Sequence, residues 1–119
     1  MAGGFLVLLP DSFGSRGAGP QCRTEDRVTR PSRERVADAL AAKAYLQTRT
    51  DVKANAISLL GWSNGGSTVL YTLRDIAGQD DGKPPFAKAI AFYPGCSTPL
   101  KKGGWKTSTP LMILIGEAV

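Results

Sequence analysis

Histidine is absent from this chain, and cysteine occurs only at Cys22 and Cys96. Zinc usually takes about four ligands in proteins, so we expect no metal site. The two cysteines match no metal-binding spacing and are interpreted as free thiols in a reducing compartment, which predicts a cytoplasmic protein; a single disulfide between them is the alternative. No stretch approaches the roughly 18 consecutive apolar residues of a membrane span, so we expect no membrane partner.

Positive charge exceeds negative charge, with 15 Lys or Arg against 10 Asp or Glu and a formal net charge of +5. Much of the excess lies between Arg16 and Arg35. Clustered arginines can neutralise phosphates, but acidic residues are interleaved here and no aromatic side chain lies among the arginines to stack on bases. We interpret the stretch as a loop and a solvated helix face and expect no nucleic-acid partner. Attraction of an anionic substrate by one arginine is a weaker alternative.

The 119 residues have the composition of one small globular domain, with 42% hydrophobic and 21% charged residues. Apolar periodicity predicts a helix from an N-cap at Ser32 to about Thr48, and a second helix from Gly65 or Gly66 through Ile76. Short apolar runs predict strands at Phe5–Leu9, Ala56–Leu60, Ala87–Tyr93 and Leu111–Ile115. This alternation predicts an α/β fold with a mostly parallel sheet and helices on its faces.

Residues 61–65, Gly-Trp-Ser-Asn-Gly, fit the pattern G-x-S-x-G between a predicted strand and a predicted helix. In a nucleophile elbow, this pattern holds a serine on a sharp turn with its hydroxyl exposed at the edge of a sheet. Gly61 and Gly65 would let the turn close without Cβ collisions. Ser63 is then the candidate nucleophile, and the backbone N–H of Asn64 is a candidate oxyanion donor. The alternative is a glycine-rich turn that only packs a helix closely against the sheet.

Three further segments accompany this turn in order along the chain: residues 9–17, 91–96 and 109–117. Together with residues 57–66 they resemble the dienelactone hydrolase family of α/β-hydrolases. The resemblance implies a partial α/β-hydrolase fold over residues 1–119 and hydrolysis of a small-molecule ester or lactone, with no cofactor. It implies an acyl-enzyme on Ser63 and an N–H donor at Asn64. The best-known members carry cysteine where this chain has serine.

Trp62, Tyr93 and Trp105 are expected to be packing or loop-anchoring residues.

A serine hydroxyl needs a base, which in this arrangement is a histidine oriented by an acid that follows a later strand. The family's aspartate would come soon after Gly116, and its histidine has no counterpart in this chain. Glu117 is a possible substitute acid, although a surface glutamate at a strand end is the simpler interpretation. We therefore expect the chain to be an internal part of a larger hydrolase, with opening strands and one oxyanion loop missing, and to be inactive by itself. The alternative is a non-catalytic truncated relative or a binding module.

Overall fold

The computed structural model describes residues 3–12, 30, 32–75, 81–95 and 103–116. Within these residues the elements are α1 (Glu34–Thr48), β1 (Ser58–Trp62), α2 (Asn64–Leu73), β2 (Lys88–Phe92) and β3 (Leu111–Leu114). The three strands form one parallel sheet in the order β1-β2-β3. The predicted α/β class is confirmed for this part of the chain. None of its helices is both long enough and apolar enough to cross a bilayer.

The core lies between the sheet and α2. Helix α2 packs against β1 and β2, and α1 packs against α2. The helix is buried along most of its length because it has the sheet on one side and α1 on another. The apolar core comprises Ile57, Val69, Leu70, Leu73, Phe86, Ala89 and Ala91.

Small residues on the sheet let α2 come close. Gly61 on β1 is in register with Ala91 on β2, which in turn is in register with Ile113 on β3. Side chains alternate between the two faces of a strand, so Ala89 and Ala91 share the face that Gly61 presents to α2. Ala91 is fully buried. Gly61, Ala89 and Ala91 are small, and they therefore set the distance between the sheet and α2.

The opposite face of the sheet is apolar and open. Leu60, Trp62, Met112 and Leu114 are each between 44% and 55% exposed there. Parallel sheets in α/β proteins normally have both faces covered. In the described part of the chain, α2 contacts the Gly61 face and α1 contacts no strand. The expectation of helices against the sheet is therefore confirmed for one face only.

The predicted strand at Phe5–Leu9 is not formed. This apolar run pairs with none of the described strands, and its side chains are between 38% and 83% exposed. An apolar run becomes a strand only where a neighbouring strand supplies hydrogen-bond partners at the right distance. The described sheet therefore has three strands rather than the four that the sequence predicts.

The start of α1 also differs from the prediction. Arg33, not Ser32, occupies the N-cap position, and no side chain caps the helix there. Instead, the Glu34 carboxylate accepts hydrogen bonds from the Arg30 backbone N–H at 2.9 Å and the Arg30 guanidinium at 3.0 Å. These bonds connect the first residue of α1 to Arg30, whose carbonyl in turn accepts from the Arg35 N–H at 3.0 Å. Helix α1 ends at Thr48 as predicted.

The other predicted strands are present with shifted ends: β1 lies two residues later than predicted, and β2 and β3 are slightly shorter. Helix α2 begins one residue before Gly65 and ends at Leu73, three residues before the predicted end at Ile76, because the backbone of Arg74 is extended. Glu117 and the two cysteines fall outside the described residues.

Candidate functional site

Ser63 occupies the turn between β1 and α2, at the carboxyl end of a parallel strand. Ser63 is exposed, but its backbone N–H and carbonyl are both hydrogen-bonded. The Ser63 N–H donates to the carbonyl of Phe92 at 2.9 Å, and the Ser63 carbonyl accepts from the Ser67 N–H at 3.0 Å. Open α/β sheets bind ligands just outside the carboxyl ends of their strands. The predicted position of Ser63 on a strand-to-helix turn is thus confirmed.

The backbone of Ser63 is strained, with φ 54° and ψ −115°. Tyr93, at the end of the neighbouring strand, also has a positive φ of 36°. Residues other than glycine held in such conformations cost about 1–3 kcal/mol each and persist where the surrounding structure enforces them. Two adjacent strand ends therefore carry strain at the edge of the sheet where Ser63 is exposed.

Two glycines make the turn sterically possible. A Cβ on Gly61 would lie 2.2 Å from the Gly65 carbonyl oxygen, and one on Gly66 would lie 2.9 Å from the Phe92 carbonyl oxygen. Gly65 is different, because a Cβ there would meet only an Arg35 side-chain nitrogen at 3.8 Å. The predicted steric role of Gly61 is confirmed. The prediction for Gly65 is wrong: the second required glycine is Gly66, since α2 approaches β2 at that residue.

Asn64 is the first residue of α2. The N–H groups in the first turn of a helix have no carbonyl partner within the helix, and the helix dipole favours negative charge at that end. The first turn of α2 contains no acidic residue that would compete for this position. The Asn64 N–H therefore belongs to the helix N-terminus that begins directly after Ser63.

A contact from α1 reaches the same turn. The Arg35 guanidinium nitrogen Nη1 donates a hydrogen bond to the side-chain oxygen of Asn64. The sequence predicts a solvated face for the arginine-rich segment, and this prediction does not include the contact. The only signal in the sequence was that Arg35 falls near the start of a helix preceding the serine turn.

A buried serine connects the first turn of α2 with the segment after β2. The Ser67 hydroxyl accepts a hydrogen bond from the Gly95 N–H at 2.9 Å and lies 3.5 Å from the Ser63 carbonyl oxygen, to which it donates. Ser67 is 9% exposed. Since Gly95 follows the strained Tyr93, this contact holds the ends of β1 and β2 together around Ser63.

Aromatic side chains line this end of the sheet. The rings of Trp62 and Phe92 are stacked, with centroids 5.1 Å apart and planes 5° from parallel. Trp62 does pack, as predicted, but it stays 50% exposed, and Tyr93 is 58% exposed rather than a core residue. Trp105 matches its prediction: its indole N–H donates to the Leu70 carbonyl at 3.0 Å, and its ring packs against the core.

The arrangement combines an exposed serine with a helix N-terminus that begins at the next residue. The chain contains no histidine, so no imidazole can accept the proton of Ser63. Within the described ranges no group of three or more Cys, Asp or Glu residues is arranged to hold a metal ion. Glu117, the alternative acid, lies outside those ranges.

Together, the fold and the turn define an α/β protein with a strained, exposed serine at the carboxyl end of a parallel strand. Comparison with protein-family models gave no matching family, and comparisons with curated proteins and with solved structures gave no match. The residues and geometry of the β1–α2 turn (residues 61–66) are therefore what indicates a function for this chain.

Proposed function

We propose that this chain carries the nucleophile segment of a serine hydrolase that cleaves small carboxylic esters or lactones, as its resemblance to dienelactone hydrolases implies. The observation that carries the proposal is the conformation of Ser63: exposed, at φ 54° and ψ −115°, directly before a helix N-terminus. A turn that only packs α2 against the sheet would be more stable with glycine at this position. Serine with a strained backbone is typical of a site where the hydroxyl is used.

The chemistry assigns one task to each group. The Ser63 oxygen attacks the carbonyl carbon of the ester while a base removes the hydroxyl proton. The carbonyl oxygen becomes negatively charged, and the Asn64 N–H donates a hydrogen bond to it. The carbon–oxygen bond to the leaving alcohol then breaks, and the alkoxide takes up a proton. Water attacks the resulting acyl-serine in the same manner and releases the acid.

The base is the group that this chain does not supply. With no histidine in the sequence, the 119 residues offer no imidazole to accept the proton of Ser63. We therefore expect no ester turnover by the chain alone. The same absence favours the second candidate, a non-catalytic binding module in which the β1–α2 turn serves only for close packing.

Added imidazole separates the two candidates. The chain is incubated with p-nitrophenyl acetate, with and without imidazole, and acetylation is mapped by peptide mass spectrometry. The exposed residue Ser58 serves as the internal control, because it lies at the start of β1, away from the strained turn and from any helix N-terminus. If one oxyanion donor is worth its usual factor, imidazole-dependent acetylation of Ser63 should exceed that of Ser58 by about 10²-fold. Equal labelling of the two serines would favour the non-catalytic alternative.

A further inference from the structure

Arg35 is the charged residue that reaches the β1–α2 turn. Its nitrogen Nη1 donates to the Asn64 side-chain oxygen, and its Nη2 lies 3.8 Å from where a Cβ on Gly65 would be. These two positions place the guanidinium across the first turn of α2, beside the residue that follows Ser63. Because Gly65 has no side chain, the space between it and the guanidinium is open.

A guanidinium at the N-terminus of a helix is unfavourable for the stability of the fold. The N-terminus of a helix carries partial positive charge, so it attracts anions and repels cations. Here no acidic residue lies in the first turn of α2, and a guanidinium contacts that turn instead. Two positive features therefore meet at the position where the proposed reaction develops negative charge.

Among the described helices and strands, few other charged residues lie around the turn. Helix α2 has no charged side chain, and the only one on the three strands is Lys88, at the opposite end of β2. On α1, Glu34 and Asp38 flank Arg35 in sequence, and Glu34 is paired with Arg30.

We propose that Arg35 is a positioning residue for Ser63 and Asn64: its guanidinium holds the Asn64 side chain and adds positive potential at the nucleophile. This inference rests on the proposed function. Arginine suits the task because its planar fork donates in one direction to Asn64 while its second nitrogen stays over Gly65. A lysine ammonium is a point charge that can supply the potential but not this fixed geometry.

A thiol at position 63 measures the potential directly, because a thiolate is a negative charge at the nucleophile atom. Ser63→Cys is made together with Cys22→Ser and Cys96→Ser, so that the chain has one thiol. Its pKa is obtained from the rate of alkylation by iodoacetamide, a neutral probe, over a pH series. The same chain unfolded in urea provides the reference, which should lie near the ordinary value of about 8.5.

We expect the folded chain to lower this thiol pKa by more than about one unit, since both a helix N-terminus and a cation favour the thiolate. Arg35→Gln, which keeps a donor for Asn64 but removes the charge, should raise the pKa by about half a unit to one unit. Arg35→Lys should retain most of the lowering. Arg33→Gln, which removes a charge from the same end of α1, and Lys88→Gln should leave the value unchanged.

Two results would overturn the role of Arg35. One is a folded thiol pKa equal to that of the unfolded reference, and the other is the same response to Arg35→Gln as to Arg33→Gln. Failure of the proposed function gives a different pattern. Ser63 would then show no imidazole-dependent acetylation in the unsubstituted chain, while the thiol pKa would still depend on Arg35.

Discussion

The sharpest test of the β1–α2 turn is Gly61→Ala. An added Cβ would lie 2.2 Å from the carbonyl oxygen of Gly65, 2.4 Å from its carbonyl carbon and 2.9 Å from the Gly66 nitrogen. All three atoms are backbone, so no side chain can rotate away to make room. Either β1 or the first turn of α2 must move, and this disturbs the position of Ser63.

The cost follows from the kind of atoms involved. Inserting a methyl group into a packed region typically costs about 1–3 kcal/mol, and contacts with backbone belong at the upper end. We therefore expect Gly61→Ala to lower the free energy of unfolding by about 3 kcal/mol or more. With urea m-values of about 1–3 kcal/mol/M, the unfolding midpoint should fall by about 1–3 M. Such a loss is a large fraction of the 5–15 kcal/mol typical of a domain.

Gly65→Ala is the matched control, because it adds the same methyl group to the same turn. The nearest atom to that Cβ is an Arg35 side-chain nitrogen at 3.8 Å, an ordinary contact. Since alanine is also favoured over glycine in a helix, we expect Gly65→Ala to be neutral or to stabilise the chain by up to about 1 kcal/mol. Urea unfolding monitored by circular dichroism compares the two variants. Similar midpoints for both would refute the steric account of the turn.

Three further predictions concern residues around this turn and the helices. Ser63→Gly should raise the free energy of unfolding by about 1 kcal/mol, because glycine adopts the Ser63 backbone angles without strain; a loss of stability on urea unfolding would contradict the strain argument. Trp105→Phe should lower it by about 1 kcal/mol, because the buried Leu70 carbonyl loses its indole donor; an unchanged midpoint would show that this hydrogen bond contributes nothing. The hydrogen bonds from Arg30 hold the pKa of Glu34 at about 2, below its ordinary value of 4.5. Because the folded pKa is lowered, this pair's stabilisation is present above pH 4.5 and is lost as the pH falls through about 2. NMR titration of the Glu34 carboxyl should show Arg30→Gln moving its pKa back towards 4.5, and no movement would contradict the assigned cause.

The elements that could be predicted from sequence are those with a local signal. The apolar runs of β1, β2 and β3 place these strands within two residues of their observed ends, and the periodicity of α2 places that helix within three. The G-x-S-x-G pattern places Ser63 on the strand-to-helix turn, because glycine at position 61 permits the close turn after an apolar strand.

The features that the sequence missed depend on distant neighbours. The run Phe5–Leu9 has the composition of a strand, yet it pairs with no described strand, and composition cannot show whether a pairing edge is available. The start of α1 depends on contacts with the residues that precede it: Glu34 binds Arg30, and Ser32 does not cap the helix.

The sequence by itself determined the α/β class, the position of the candidate nucleophile and the absence of an imidazole base, because each follows from residue types and short-range spacing. Only the tertiary structure decided that Gly66 rather than Gly65 is sterically required, since the Phe92 carbonyl that approaches it belongs to another strand. Only the tertiary structure brought Arg35 to Asn64, because 29 residues separate them and the contact exists through the packing of α1 on α2. Local chemistry can be read along the chain, whereas distances between elements are set by how their faces pack.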